Sequence, residues 1–201
     1  MYLSQRHFDI LFYESTVDSK MMNCDLPILM AVSGTKRDLY DDLILNPQRR
    51  EVRVLVLCEG HDDSLVECSM EIISLDNGAA YFNALSYVWG DTNDTSTIIV
   101  NQLPITIPKS LAKCLQSLRH CTASHAQLLG QTPLTIWADA VCINQQDLLE
   151  RSQQVQIMGD IYSSARNVVI WLGEGTEYTD YALDMMNSTN FRERLDRKSV
   201  V

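Results

Sequence analysis

The 201-residue chain lacks the sequence features that mark secreted and membrane-spanning proteins. Its six cysteines show no paired CxxC spacing, and no signal peptide precedes them. Both observations favour a reduced intracellular compartment, so we expect a cytoplasmic protein. The longest early apolar run, residues 26–32, is too short to cross a bilayer.

Positive charge is also scarce in this chain. Sixteen Lys and Arg face twenty-six Asp and Glu, which gives a net charge of −10. This balance argues against nucleic acid or an anionic membrane as the main partner. Cys114, His120, Cys121 and His125 are the one group that resembles metal ligands, but their spacing is not that of a zinc site. We therefore predict no metal site.

The most informative stretch of the sequence lies between residues 134 and 173. Residues 134–138 and 168–172 are short apolar runs that predict buried strands, and residues 147–165 carry a helical period. Two strands joined by such a helix predict a parallel βαβ unit with a right-handed crossover. The helical wheel predicts a buried side, formed by Leu148, Val155, Met158, Tyr162 and Ala165.

Two charged residues of this helix, Glu150 and Arg151, fall outside its polar arc. A charged residue on the buried side of a helix is costly, so it is expected to be paired or to have a function. Glu150 lies three residues after Asp147, so the two could form a capping box; a functional role for Glu150 is the alternative. For Arg151 we favour a structural tie to a neighbouring loop or carboxylate.

The rest of the chain predicts further strands and helices around this unit. Residues 51–57 and 65–72 predict an antiparallel hairpin with one wet face, and residues 1–39 an extension of uncertain order. Residues 82–88 predict another strand, followed by a small hairpin about Asn101 and Gln102. Pro108 opens a helix that we expect to end near Cys121. A last helix over 178–186 precedes a charged tail, residues 188–201.

Three of the predicted core strands end in polar residues. In an open parallel α/β sheet, ligands bind beyond the carboxyl ends of the strands. If the three strands are parallel neighbours, one crevice collects Trp89, Asp91, Asp139, Asn144, Gln145 and Glu174. We interpret Trp137 as a core residue, whereas Trp89 could be either a pocket wall or part of the core.

These strand ends also carry a family resemblance. The segments ALSYVWGD (84–91), WADAVCINQ (137–145) with Glu150 and Arg151 after it, and VVIWLG (168–173) resemble, in order, the blocks of the fungal heterokaryon incompatibility (HET) domain. Ala138 departs from that pattern, where the family usually carries Ile. The resemblance implies a HET domain over residues 40–187 that acts in non-self recognition and programmed cell death.

The resemblance further implies a fold related to TIR domains: an α/β fold with a flavodoxin/TIR-like parallel sheet core flanked by helices, here with an additional N-terminal antiparallel β-hairpin. Some TIR domains cleave NAD, using a Glu on the helix after their third strand. By position this chain offers Glu174 and Glu177 there, without the SxWCxxE signature of those enzymes. NAD is therefore a possible substrate, and no cofactor is implied with certainty.

Two hypotheses follow. In the first, the domain is an NAD nucleosidase with Glu150 or Glu174 as the catalytic carboxylate. Its ligand-binding candidates are Tyr87, Trp89, Asp91, Asp139, Asn144, Gln145 and Arg151. In the second, which we favour slightly, the domain is a binding module that self-associates or engages another incompatibility or regulatory protein. Glu150 and Arg151 are then structural.

Overall fold

The computed structural model describes residues 2–5, 8–14, 38–60, 64–77, 81–91, 93–129 and 133–175, with the backbone alone for residues 2–14 and 120–129. Within them lie nine strands, namely β1 (Tyr2–Gln5), β2 (Phe8–Glu14), β3 (Glu51–Leu57), β4 (Glu67–Ser74), β5 (Asn83–Tyr87), β6 (Thr95–Val100), β7 (Leu103–Pro108), β8 (Leu134–Trp137) and β9 (Asn167–Glu174). The α-helices there are α1 (Lys109–Leu129), α2 (Asp139–Cys142), α3 (Leu148–Gln156) and α4 (Met158–Ser164), and Pro47–Arg49 and Leu75–Asn77 form single 3-10 turns.

These strands form one mixed sheet in the order β1-β2-β9-β5-β8-β3-β4-β6-β7. The strands β9, β5 and β8 are parallel to one another, whereas β2 and β3 pair with this group antiparallel, on its two sides. The prediction of an α/β fold is thus confirmed in its coarse form: a mixed sheet flanked by helices.

The predicted βαβ unit is present, with one strand inserted into it. β8 and β9 are parallel as expected, but β5 lies between them and pairs with both. The chain therefore leaves β5 towards β8 through α1 and returns past β5 to β9 through α2, α3 and α4. Parallel crossovers are normally right-handed, and for this reversal of direction the rule predicts α1 and the later helices on opposite faces of the sheet.

The helix predicted over residues 147–165 is broken, and part of its predicted buried side was wrong. Ile157 separates α3 from α4. Ala165 is buried and Met158 and Tyr162 are partly buried, but Leu148 and Val155 are 68% and 54% exposed. The break at Ile157 shifts the helical phase, so that the polar residue Gln154 becomes the buried residue of α3.

The hairpin β3–β4 is confirmed, but the prediction of one wet face fails for β3. Val52, Val54, Leu55, Val56 and Leu57 are all buried. β3 lies inside the sheet, between β8 and β4. Because consecutive residues of a strand point to opposite faces and nearly all of those in β3 are buried, both faces of this strand are covered.

The second predicted hairpin, β6–β7, is confirmed with its turn. Asn101 and Gln102 both have positive φ, of 50° and 66°, as the two-residue turn favoured by hairpin twist requires. The helix after it is longer than predicted, since α1 continues past Cys121, where we expected it to end, to Leu129.

Near the N-terminus, β1 and β2 form an antiparallel pair that extends the sheet beyond β9. These strands lie within the predicted extension, residues 1–39. The predicted helix over 178–186 and the charged tail, residues 188–201, lie outside the described residues, as does Glu177.

Candidate functional site

The carboxyl ends of the three parallel strands meet at one edge of the sheet. The register pairs Ala84 of β5 with Trp137 of β8, and Tyr87 of β5 with Trp171 of β9. The loops that follow these strands therefore start side by side. Three of the sequence segments singled out above, residues 84–91, 137–145 and 168–173, come together here.

One group of side chains at this edge forms what we call the aromatic–acid corner, made of Tyr87, Trp89 and Asp139. The indole Nε1–H of Trp89 donates to both carboxylate oxygens of Asp139, at 3.2 Å to Oδ1 and 3.1 Å to Oδ2. The backbone N–H of Ala140 donates to Oδ1 of Asp139 at 2.8 Å. The ends of β5 and β8 are thus joined through their side chains.

Trp89 is fixed in position although its side chain is 38% exposed. Its carbonyl accepts a hydrogen bond of 3.0 Å from the hydroxyl of Ser110, in the first turn of α1. Gly90 follows with φ +75°, a left-handed conformation that glycine adopts without strain, and this turns the chain away from β5. Trp89 is therefore a held, accessible aromatic surface, which fits the wall of a pocket rather than the core.

Tyr87 contributes a buried hydroxyl group to the corner. Within the part of the chain that the structure describes, this hydroxyl makes no hydrogen bond of ordinary geometry, but it lies close enough to the Asp139 carboxylate to interact with it directly. Burial, with a contribution from the neighbouring Asp139 carboxylate, raises the pKa of Tyr87, and the same two causes raise the pKa of Tyr162. Both phenols are neutral donors at physiological pH.

Gln145 supports the base of the corner. Its Nε2 donates to the backbone carbonyl of Asp139 at 2.8 Å and so closes the segment 139–145 on itself. Asp139 begins the short helix α2, which ends at Cys142. Burial raises the pKa of the Cys142 thiol to about 12, so this cysteine remains a protonated core residue and not a nucleophile.

The second polar group, the Arg53–Glu150 cluster, lies where β3 meets the start of α3. Arg53 is 1% exposed, and its two terminal nitrogens donate to the two carboxylate oxygens of Glu150 at 2.6 and 2.8 Å. Its Nε donates to the carbonyl of Leu43 at 2.8 Å, and Nη1 also donates to the carbonyl of Cys142 at 3.2 Å. Each nitrogen of the buried guanidinium thus has a partner.

An aromatic ring completes the environment of Arg53. The guanidinium carbon lies 4.7 Å from the ring centroid of Tyr40, whose hydroxyl donates to the carbonyl of Val141 at 2.9 Å. Burial is the main reason why the pKa of Tyr40 rises to about 12. The cluster thereby ties residues 40–43 and β3 to the segment 141–150.

Glu150 has a different structural role from the one that its spacing suggested. Asp147 caps α3 by accepting from the N–H groups of Leu149 and Glu150. The carboxylate of Glu150 accepts from the N–H of Asn144 at 2.7 Å, in addition to Arg53. The N–H of Asp147 donates to the carbonyl of Asn144 instead. In place of the capping box that we considered, Glu150 therefore forms an ion pair with a residue 97 positions away.

The other candidate residues lie outside the corner. Asp91 accepts from the backbone N–H and the side chain of Asn93 in its own loop. Glu174 forms an exposed ion pair of 2.7 Å with Lys113 of α1. The side-chain oxygen of Asn144 accepts from the N–H of Gln146. Arg151 is exposed and pairs with none of the described carboxylates, so the structural tie that we favoured for it is not seen there.

Arg53 is the residue that the sequence reasoning missed. A signal for it was present, because Arg53 stands between Val52 and Val54 in an apolar strand, and an arginine needs a counter-charge once such a strand is buried on both faces. The missing information was the partner, since nothing in the sequence pairs residue 53 with residue 150. Ser110, which holds the carbonyl of Trp89, gave no sequence signal that we can identify.

No group of three or more His, Cys, Asp or Glu residues that could hold a metal ion occurs in the part of the chain that the structure describes. The side chains of His120, Cys121 and His125 lie outside that part. Among the described residues, no helix has both the length and the apolar character needed to cross a membrane.

Comparison with known proteins gives one consistent result. The family model described as "Heterokaryon incompatibility protein (HET)" matches residues 82–200. Heterokaryon incompatibility protein 6, OR allele, of Neurospora crassa is 35% identical over 168 residues. That alignment covers 79% of this chain but 24% of the Neurospora protein, so the chain spans about a quarter of that relative. No solved structure matches the chain significantly.

Proposed function

Since the chain belongs to the heterokaryon incompatibility (HET) family, we propose that it acts in fungal non-self recognition and in the programmed cell death that follows. In this proposal the domain works as a binding module in the cytoplasm. It self-associates or engages another incompatibility or regulatory protein, and nucleic acid and membranes are not its partners.

The observation that carries this proposal is the convergence of the resembling segments at one edge of the sheet. Residues 84–91 and 137–145 build the aromatic–acid corner, which is accessible through Trp89. The Arg53–Glu150 cluster holds residues 141–150 in place through hydrogen bonds. A partly exposed aromatic residue on a rigid base is the kind of anchor that protein interfaces use.

The state of Glu150 supports the noncatalytic alternative. Both of its oxygens are bound by Arg53, and its side chain is 14% exposed. A carboxylate held in this way stabilises the fold and offers little to a substrate. Glu174, the other candidate, is paired with Lys113.

To test the proposal, the chain is expressed from a regulated promoter in a filamentous fungus, and cell viability is followed after induction. The expected result is a loss of viability that is much weaker for Arg53→Met at the same expression level, because that variant is strongly destabilised and less of it is folded in the cell. Unchanged viability with folded protein recovered from the cells would contradict the proposal.

A second candidate function, NAD hydrolysis, is favoured by one feature. The parallel strands take the spatial order β8-β5-β9, that is, second, first and third along the chain, which is the order of the first three strands in flavodoxin-like sheets. In such folds, ligands bind where the strand order reverses, here at the ends of β5 and β9. Trp89 could stack on nicotinamide, while Asp139 and Asn144 bind the ribose hydroxyls.

The two functions are separated by an enzymatic assay. Purified chain is incubated with NAD over a wide range of protein concentrations, because TIR-type enzymes act when assembled, and released nicotinamide is measured. Nicotinamide release that rises with assembly would support the second function. NAD left intact at every concentration would rule it out for this chain.

A further inference from the structure

From the chemistry of the aromatic–acid corner, we propose that this corner binds the guanidinium group of an arginine side chain presented by a protein partner. The inference deepens the proposed recognition function, on which it rests for the class of partner. Its premises are the charge, the geometry and the exposure of Trp89 and Asp139.

The first premise is the charge of Asp139. Most other acidic side chains at this edge already form an ion pair with a basic side chain. Glu174 pairs with Lys113, Asp94 with Lys109, and Glu150 with Arg53. Among the described residues, Asp139 is paired with no cation. It accepts from the neutral N–H groups of Trp89 and Ala140, and the neutral phenol of Tyr87 lies close beside it. Its negative charge is therefore not compensated locally, and a cationic ligand group would be attracted to it.

The geometry of the corner fits a guanidinium better than an ammonium group. A carboxylate has about four acceptor positions on its two oxygens. Oδ2 of Asp139 is engaged by Trp89 alone, which leaves lone pairs for additional donors. Arginine can donate to a carboxylate and at the same time stack its plane on an aromatic face, whereas lysine offers a compact point charge.

The corner is also organised before any partner arrives. Trp89 is held through its indole N–H by Asp139 and through its carbonyl by Ser110. The Asp139 segment is held by Gln145. Binding therefore orders few side chains, and this keeps the entropic cost of association low.

The test is an NMR titration of the 15N-labelled chain with two tripeptides, acetyl-Gly-Arg-Gly-amide and the same peptide with citrulline in place of arginine. Citrulline keeps the planar group and its size but removes the charge. The chain contains three tryptophans, so its spectrum has three indole N–H signals, and Trp89→Phe assigns the one that belongs to the corner.

We expect the arginine peptide to shift the Trp89 indole signal in a saturable manner, while the signals of the buried Trp137 and Trp171 stay in place. The citrulline peptide should leave all three signals unchanged. Asp139→Asn should weaken arginine binding about tenfold, the fold-change expected when a hydrogen bond to a charged group is lost. Glu71→Gln removes an equal charge from an exposed position on β4 and should not weaken binding.

Several outcomes would overturn the proposal. They are the absence of a shift with the arginine peptide, an equal shift with the citrulline peptide, and equal binding of a lysine peptide, which would mean a general attraction of cations. Unchanged Trp137 and Trp171 signals show that a variant is folded. Should Asp139→Asn fail this criterion, Trp89→Ala must instead abolish the shift that the arginine peptide causes in the backbone N–H signal of Ala140, which donates to Asp139. If arginine binds but expression causes no cell death, the proposed function fails and this inference stands. If death occurs without arginine binding, the reverse holds.

Discussion

Glu150 and Asp139 lie near the same edge of the sheet, on either side of the segment 140–149, and their carboxylates have different partners. Glu150 is bound on both oxygens by the buried Arg53 and also accepts from a backbone N–H. Asp139 is partly buried and has neutral neighbours among the described residues: it accepts from Trp89 and from a backbone N–H, and the phenol of Tyr87 lies beside it. The first arrangement fixes the chain, and the second leaves a charge available to a ligand.

The difference follows from the environment of each carboxylate. Burying a guanidinium as deeply as that of Arg53 costs a large free energy unless a counter-ion and a full set of acceptors surround it. Asp139 is only partly buried, so its desolvation costs less and fewer partners suffice. In our proposal, these two acidic residues of one sequence segment therefore have different roles: Glu150 stabilises the fold and Asp139 takes part in recognition.

Replacing Arg53 should have the largest effect, because it removes the cation that distinguishes Glu150 from Asp139. Arg53→Met keeps the length of the side chain but leaves Glu150 buried without its cation and the carbonyls of Leu43 and Cys142 without their donor. We expect the free energy of unfolding to fall by about 3–5 kcal/mol, measured by urea denaturation. Arg49→Met, at an exposed position, is the control and should change it by less than about 0.5 kcal/mol. A loss below about 1 kcal/mol for Arg53→Met would refute the account.

Glu150→Gln should have the next largest effect. The glutamine keeps the shape of the side chain, but the guanidinium of Arg53 loses its counter-charge, so we expect a loss of about 2–3 kcal/mol in the same denaturation experiment. Glu174→Gln is the matched control, because it breaks an exposed pair with Lys113 and should cost about 0–1 kcal/mol. Equal losses for the two variants would mean that burial does not distinguish the two sites.

Tyr40→Phe tests the role of Tyr40 in the Arg53–Glu150 cluster through the pH dependence of stability. The variant loses the hydrogen bond to the carbonyl of Val141 and should be about 1 kcal/mol less stable at pH 8. In the wild type, burial raises the pKa of Tyr40 to about 12, against about 10 in the unfolded chain. The stability due to the neutral phenol is therefore complete below pH 10 and is lost as the pH rises towards 12.

The measurement for this variant is urea denaturation of both proteins from pH 8 to pH 11. The difference in unfolding free energy between wild type and Tyr40→Phe should shrink above pH 10. A constant difference over this range would show that Tyr40 ionises as freely in the folded chain as in the unfolded one.

Tyr87→Phe should have the smallest effect and concerns the aromatic–acid corner. Its hydroxyl is buried and makes no hydrogen bond of ordinary geometry within the described residues, so its removal should leave the unfolding free energy unchanged or raise it by up to about 1 kcal/mol. Tyr162→Phe is the control, because that hydroxyl donates to the carbonyl of Leu85 at 3.1 Å and its loss should cost about 1 kcal/mol. A larger loss for Tyr87→Phe than for Tyr162→Phe would contradict this view of the corner.

The local pattern of the sequence was sufficient to predict most core strands and the convergence of their carboxyl ends. The apolar runs 51–57 and 134–138 gave β3 and β8, and the polar residues after β5 and β8 do meet, as the bond from Trp89 to Asp139 shows. Patterns of this kind are local, and they follow from the period of two in strands and from the burial of core strands.

What could not be predicted depends on contacts distant in sequence. The periodicity of residues 147–165 does not reveal the break at Ile157, which exposes Leu148 and Val155. The pairing of Arg53 with Glu150 joins residues 97 positions apart, and the position of β5 between β8 and β9 is a matter of topology. A helical wheel or a capping motif contains no such information.

The most direct test of the division between the two carboxylates is the response of Asp139→Asn in the fungal expression experiment, with its unfolding free energy measured in parallel. We predict an unfolding free energy within about 1 kcal/mol of the wild type together with loss of the cell-death response. A folded Asp139→Asn protein that still triggers death as the wild type does would contradict the assignment of recognition to the aromatic–acid corner.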